Sequence, residues 1–204
     1  MKLQSIVNYR PRLVLGLIGW LAVMATLARG VGPHMLLVAS SADQSAGLTA
    51  FKDVASVLRS PRCINCHPAG DVPRQTDLQL PHFPAVARGA DGHGIIGMRC
   101  NACHQDTNQA SGIPGAQHWG LAPRSMAWAG LNDQELAEQL KDPRRNGNRT
   151  LAQLIEHVTS EPLVCWAFQP GGDREPPPLT HEQFIQRFKD WVAAGAPSPQ
   201  SLKE

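Results

Sequence analysis

Residues 63–67 read CINCH and residues 100–104 read CNACH, so one chain of 204 residues spells Cys-x-x-Cys-His twice. Two cysteines at i and i+3 on a helical turn present both thiols on one side, and the histidine that follows comes round beside them. That order suits addition of the thiols to the two vinyl groups of a haem, with the adjacent imidazole ligating the iron. Zinc chelation and thiol exchange are the other chemistries that use Cys-x-x-Cys.

A four-thiolate zinc site would take Cys63, Cys66, Cys100 and Cys103. The spacer between Cys66 and Cys100 exceeds the usual run of roughly 15–20 residues, and zinc supplies no reason for a histidine after both pairs. A thioredoxin-like dithiol needs a βαβ pattern, which is absent from the sequence. The expectation is therefore two covalently attached haem c groups. Cys63, Cys66, His67, Cys100, Cys103 and His104 bind them, and His67 and His104 are the proximal iron ligands.

The other axial positions have three candidates, His82, His118 and Met126. His82 lies 15 residues after His67 and His118 lies 14 after His104, a loose repeat of motif, Pro/Gly-rich loop and histidine. Each loop could fold over its own haem, or each histidine could serve the other one. Met126, in LAPRSM, resembles the Pro-preceded loop that delivers a distal methionine in monohaem cytochromes c, and methionine ligation would raise the potential. Of the remaining histidines, His93 in DGHG is expected in an exposed turn, His157 near a helix C-terminus, and His181 in solvent just after a cap. Cys165, in the apolar run LVCWAF, is expected to be an inert buried residue.

Charge excludes one class of partner. Residues 1–42 carry Lys2, Arg10, Arg12 and Arg29 with no acidic residue; without those four, the 19 basic residues become 15 against 17 acidic, a balance of −2. A near-neutral body without a basic run has no electrostatic footprint for nucleic acid. The basic start followed by the apolar stretch from Leu13 to Ala28 has the layout of an export signal. Residues 1–42 are thus read as a signal peptide, with retention as an N-terminal anchor in the inner membrane as the alternative, and the mature protein is expected in the periplasm.

Residues 43–204 are expected to form a mainly α domain, its short helices and long Pro/Gly-rich loops wrapped around two haems. After a polar tether to about Gly47, apolar Phe51, Val54, Val57 and Leu58 mark a helix leading into the first motif. Residues 68–99 and 105–130 are expected to be irregular. From about residue 131 the chain turns helical: Asn132, Thr150 and Thr180, each with Glu or Gln three residues on, predict helices over 132–141, 151–159 and 181–194. The last carries Phe184, Ile185, Phe188, Trp191 and Val192 on one stripe and stops at Gly195 and Pro197.

CINCHPAGDVP, PHFPAVARGADGHGIIGMRCNACHQDTN, PGAQHWGLAPRSMAWAGL and FIQRFKDWVAAGAP together resemble a group of small bacterial dihaem c-type proteins over about residues 48–198. Some of these are called isoquinoline 1-oxidoreductase subunit. The resemblance implies association with a molybdenum hydroxylase. It supports an expectation of single-electron transfer between a donor and the respiratory chain through redox partner proteins, without substrate chemistry. Two other readings use the same motifs: a dihaem peroxidase with one open iron, and a haem-based sensor that binds a diatomic gas.

Overall fold

The computed structural model describes residues 40–200, so residues 1–39 of the proposed signal segment lie outside the described residues, while its last two, Ser41 and Ala42, already belong to a helix. The architecture is mainly α: six helices in two groups flank two miniature hairpins. Helix α1 is Ser41–Leu58 and α2 is Pro61–Ile64; α3 Asp133–Lys141, α4 Leu151–Ser160, α5 Pro162–Phe168 and α6 His181–Ala193 follow the long central loops.

Helix α1 begins earlier than the tether reading allowed. Ser40 Oγ accepts from the Asp43 amide at 3.1 Å and the Asp43 carboxylate accepts from the Ser40 amide at 3.1 Å, closing a capping box with Asp in place of Glu. Gly47, which suggested flexible chain, is the point where α1 crosses the end of α6. A Cβ there would lie 2.6 Å from Ala194 Cβ and 2.7 Å from Pro197 Cγ. The glycine permits close approach of two helices.

The core lies between α1 and α6, closed by α3 and α4. Phe51, Val54, Val57 and Leu58 bury against Leu136, Leu140, Leu154, Phe184, Phe188 and Trp191. Each such side chain contributes about 1.5–3 kcal/mol on leaving water. The Phe51 and Trp191 rings are 4.9 Å apart, and Phe188 meets Trp191 edge-on at 5.4 Å. Asn132, Thr150 and Thr180 each close the capping box that their sequences specify.

Three local expectations are corrected. LVCWAF forms α5, a short helix opened by Pro162, and Cys165 is only half-buried, its thiol 3.6 Å from the Thr159 carbonyl. His181 is not solvated: its Nε2–H donates to the Val158 carbonyl at 2.6 Å and its ring stacks on Phe168 at 4.6 Å, bolting α6 to the end of α4. The loops also contain regular pairing. Strand β1 (Arg74–Gln75) pairs antiparallel with β2 (Leu80–Pro81), and β3 (Gly94–Ile95) with β4 (Met98–Arg99), which runs straight into Cys100.

The loop half has few buried apolar side chains, and arginines hold it together. Buried Arg88 reaches Asp71 at 3.3 Å, the Gly70 carbonyl at 2.9 Å and the Ala122 carbonyl; Arg124 joins the same Asp71. Arg62 pairs with Asp77, and Arg99 with Asp91 at 2.7 Å. Among the described residues, no helix is long and apolar enough to cross a membrane.

Candidate functional site

Both motifs fold into a tight turn of the same form. In the first, α2 runs on so that the Cys66 and His67 amides each donate to the Cys63 carbonyl at 3.1 Å. In the second, a 3-10 turn over Cys100–Ala102 lets the Cys103 and His104 amides donate to the Cys100 carbonyl at 3.2 and 2.9 Å. All four motif cysteines are free thiols.

The two histidines are oriented alike. His67 Nδ1–H donates to the Met126 carbonyl at 2.7 Å, and His104 Nδ1–H donates to the Pro114 carbonyl at 2.7 Å. A carbonyl only accepts, so each ring carries its proton on Nδ1 and keeps the Nε2 lone pair for a metal. Each ring also lies flat on an indole, His67 on Trp128 at 3.4 Å and His104 on Trp119 at 4.4 Å. The lone pair lies in the ring plane, so a stacked indole stops the ring turning without blocking Nε2.

The supporting contacts have different origins. The first histidine is held from 59 residues downstream. Gln139, fully buried in α3, donates to the Ser125 carbonyl at 2.9 Å and fixes the turn that presents Met126. Main-chain bonds from Ala122 to Cys66 and from Trp128 to His67 zip that loop onto the first motif. The second histidine is held from only 10 residues away. There Asn108 Oδ1 accepts from the Gly115 amide at 3.0 Å and from Trp166 Nε1 at 2.9 Å, tying the loop to α5.

Gly115 sits where this second loop doubles back, and a methyl group there would collide with the Thr107 and Gln105 carbonyl oxygens. Gly115→Ala should lower stability by about 1–3 kcal/mol. Gly70→Ala, with nothing within 4 Å of the added carbon, should stay within about 0.5 kcal/mol. Urea denaturation of the two variants side by side checks the difference.

Cys66, Cys100, Cys103 and His104 line one cavity of about 820 Å³, walled also by Trp119 and Leu121. That volume is in the range of pockets that enclose a whole small-molecule ligand or cofactor, roughly 300–1,000 Å³. Cys63 packs on the helical core instead, and His67 is not on the wall of this cavity. Burial pushes the Cys63 thiol up to about 11 and the Cys66 thiol up to about 12, and raises Cys100 as well. Burial also pulls His67 down to about 4, against the Met126 carbonyl, and lowers His104. At pH 7 the His67 and His104 imidazoles are thus neutral and the Cys63, Cys66 and Cys100 thiols protonated.

The three remaining candidates separate. His82 also lines the cavity, with its ring 5.9 Å from that of His104. His118 is two-thirds exposed, donates from Nδ1 to Glu161 at 2.7 Å and does not line the cavity. Met126 is buried with its sulfur beside Gly147, and its carbonyl, not its thioether, serves His67. His93 is half-buried and not in an open turn, because its Nδ1–H donates to the Trp119 carbonyl at 3.0 Å.

Sequence reasoning missed the two carbonyls, of Met126 and Pro114, since a main-chain acceptor leaves no residue-type signature. It also missed Arg62 and Arg174 on the cavity wall. Arg62 has a buried Nε with no partner, and the neighbouring Asn65 Oδ1 is likewise unsatisfied. Half-buried His157 is likewise made less basic by burial, and protonation of it would lower His67 further.

Among the described residues, no three His, Cys, Asp or Glu side chains converge on a metal ion, whereas a haem asks of each motif only two thiols and one free Nε2. No family model, curated protein or solved structure matches the chain.

Proposed function

We propose that the chain is an exported dihaem c-type cytochrome that passes single electrons between partner proteins. The observation that carries this reading is the repeated arrangement of two free thiols in one turn beside a histidine whose Nδ1–H is spent on a carbonyl and whose Nε2 is free. Bound haem supplies reversible one-electron chemistry at its iron. Cys63 and Cys66 would tether one group and Cys100 and Cys103 the other, and His67 and His104 would each hold an iron through Nε2. The Met126 and Pro114 carbonyls keep both imidazoles in the ligating tautomer, and Trp128 and Trp119 hold the ring planes. Arg62 and Arg174 offer donors for carboxylates of a bound group. Export rests on the basic and apolar N-terminal pattern, and the molybdenum hydroxylase donor rests on the sequence resemblance.

Low-temperature electron paramagnetic resonance with near-infrared magnetic circular dichroism, on protein matured with haem, tests the carrier role. Two six-coordinate low-spin irons, unchanged by peroxide, are expected. An open high-spin iron consumed by peroxide would make the protein a peroxidase, and reversible carbon monoxide binding to the protein as matured would make it a sensor.

A further inference from the structure

We propose that His82, which follows the first motif in sequence, is the second axial ligand of the iron held by the second motif, opposite His104. This rests on the dihaem reading and assigns the ligand set of one of its two sites.

The His82 and His104 ring centroids are 5.9 Å apart with their planes at 66°. Two imidazoles on opposite sides of one metal, each with a metal–nitrogen bond of about 2 Å, hold their centroids roughly 6 Å apart. Edge-to-face packing of two rings also favours about 4.5–7 Å between centroids, so the spacing permits a shared iron without requiring one. Both rings also line the cavity that contains the Cys100 and Cys103 thiols.

Each ring is prepared in the same way. His82 Nδ1–H donates to the Pro84 carbonyl at 2.9 Å, as His104 Nδ1–H does to Pro114 at 2.7 Å, so both have Nε2 free. The His82 backbone is itself fixed: it directly follows β2, and its amide donates to the Pro73 carbonyl at 2.9 Å. The competitors for this position are engaged elsewhere. His118 is exposed and bound to Glu161, Met126 sulfur is buried beside Gly147, and neither lines the cavity. His67, the partner that an uncrossed arrangement would give His82, is off that cavity wall as well.

Crossing has a consequence for electron flow. The chain from His67 to His82, a separation of 15 positions, would join the two irons through one covalent segment, so the loop that carries β1 and β2 would also set their separation.

The test uses full-length protein matured with haem. In His82→Ala, half of the total haem should become high-spin and bind carbon monoxide, and added imidazole should restore the low-spin signal. His82→Met should stay six-coordinate with a raised potential for that haem alone, a result that simple damage to the hairpin would not produce. In a Cys100→Ser/Cys103→Ser background, where only the first haem remains, His82→Ala should leave the spectrum as it was. If the first haem changes there, ligation is uncrossed and the proposal fails; it fails equally if His82→Ala alters neither haem in the full protein. Absence of covalent haem from the unsubstituted protein would instead overturn the dihaem reading from which this one starts.

Discussion

Trp191→Ala should destabilise the protein by about 3–5 kcal/mol, a cost typical of truncating a large buried aromatic. The ring is fully buried, faces Phe51 across the α1–α6 contact and Phe188 within α6. Its indole N–H donates to the Pro197 carbonyl at 2.9 Å, and its own carbonyl accepts from the Ala196 amide at 2.9 Å. Truncation therefore opens a cavity and removes the indole bond to Pro197, leaving only the main-chain bond to hold the chain after α6. Urea denaturation of the unloaded protein measures the loss. Phe51→Ala in the same protein should be less than additive with it, because both remove one contact. A loss below about 1 kcal/mol would mean that α1 and α6 are not the stabilising pair.

That core was readable from the sequence because helix signals reside in side chains. Phe184, Phe188 and Trp191 repeat at helical spacing, and Thr180 with Gln183 marks where the helix starts, so period and cap agree. The start of α1 was hidden for a related reason: Asp43 completes the cap as Glu would, and Gly47 looks like a linker until Ala194 and Pro197 are placed against it. Residues 162–168 defeated the reading because an apolar run of seven carries no period, and the α5 helix depends on Pro162 and on Glu161 ending α4.

The candidate site was legible in part. Cys-x-x-Cys-His names its own thiols and imidazole, and both turns have the same backbone bonds. The suggestion of a duplicated seat, with matched loops ending at His82 and His118, does not describe the geometry. One histidine is braced by a distant loop and the other by a near one, and His118 adopts φ 61 with its ring on Glu161. Where the loops go depends on Arg88 bonding to three carbonyl and carboxylate partners. Nothing in the composition of a Pro/Gly-rich stretch encodes that choice.

The two motifs should also separate under substitution, and here the largest functional effect is expected. Cys100→Ser/Cys103→Ser should reduce covalent haem from two per chain to one, counted by denaturing mass spectrometry and by the alkaline pyridine spectrum. The helical core should keep its urea midpoint, because Cys103 is exposed and this motif sits in the loop half. Cys63→Ser/Cys66→Ser should likewise leave one haem, but with a further stability loss of about 1–3 kcal/mol, since Cys63 packs on the core and burying a hydroxyl there needs a new partner. The asymmetry follows from the position of each turn: α2 continues directly from the helix that forms the core, whereas the second turn hangs from β4. If either pair of substitutions removed both haems, the second seat would depend on the first and the sites would not be independent. If neither lowered the count, these cysteines would not be the tethers.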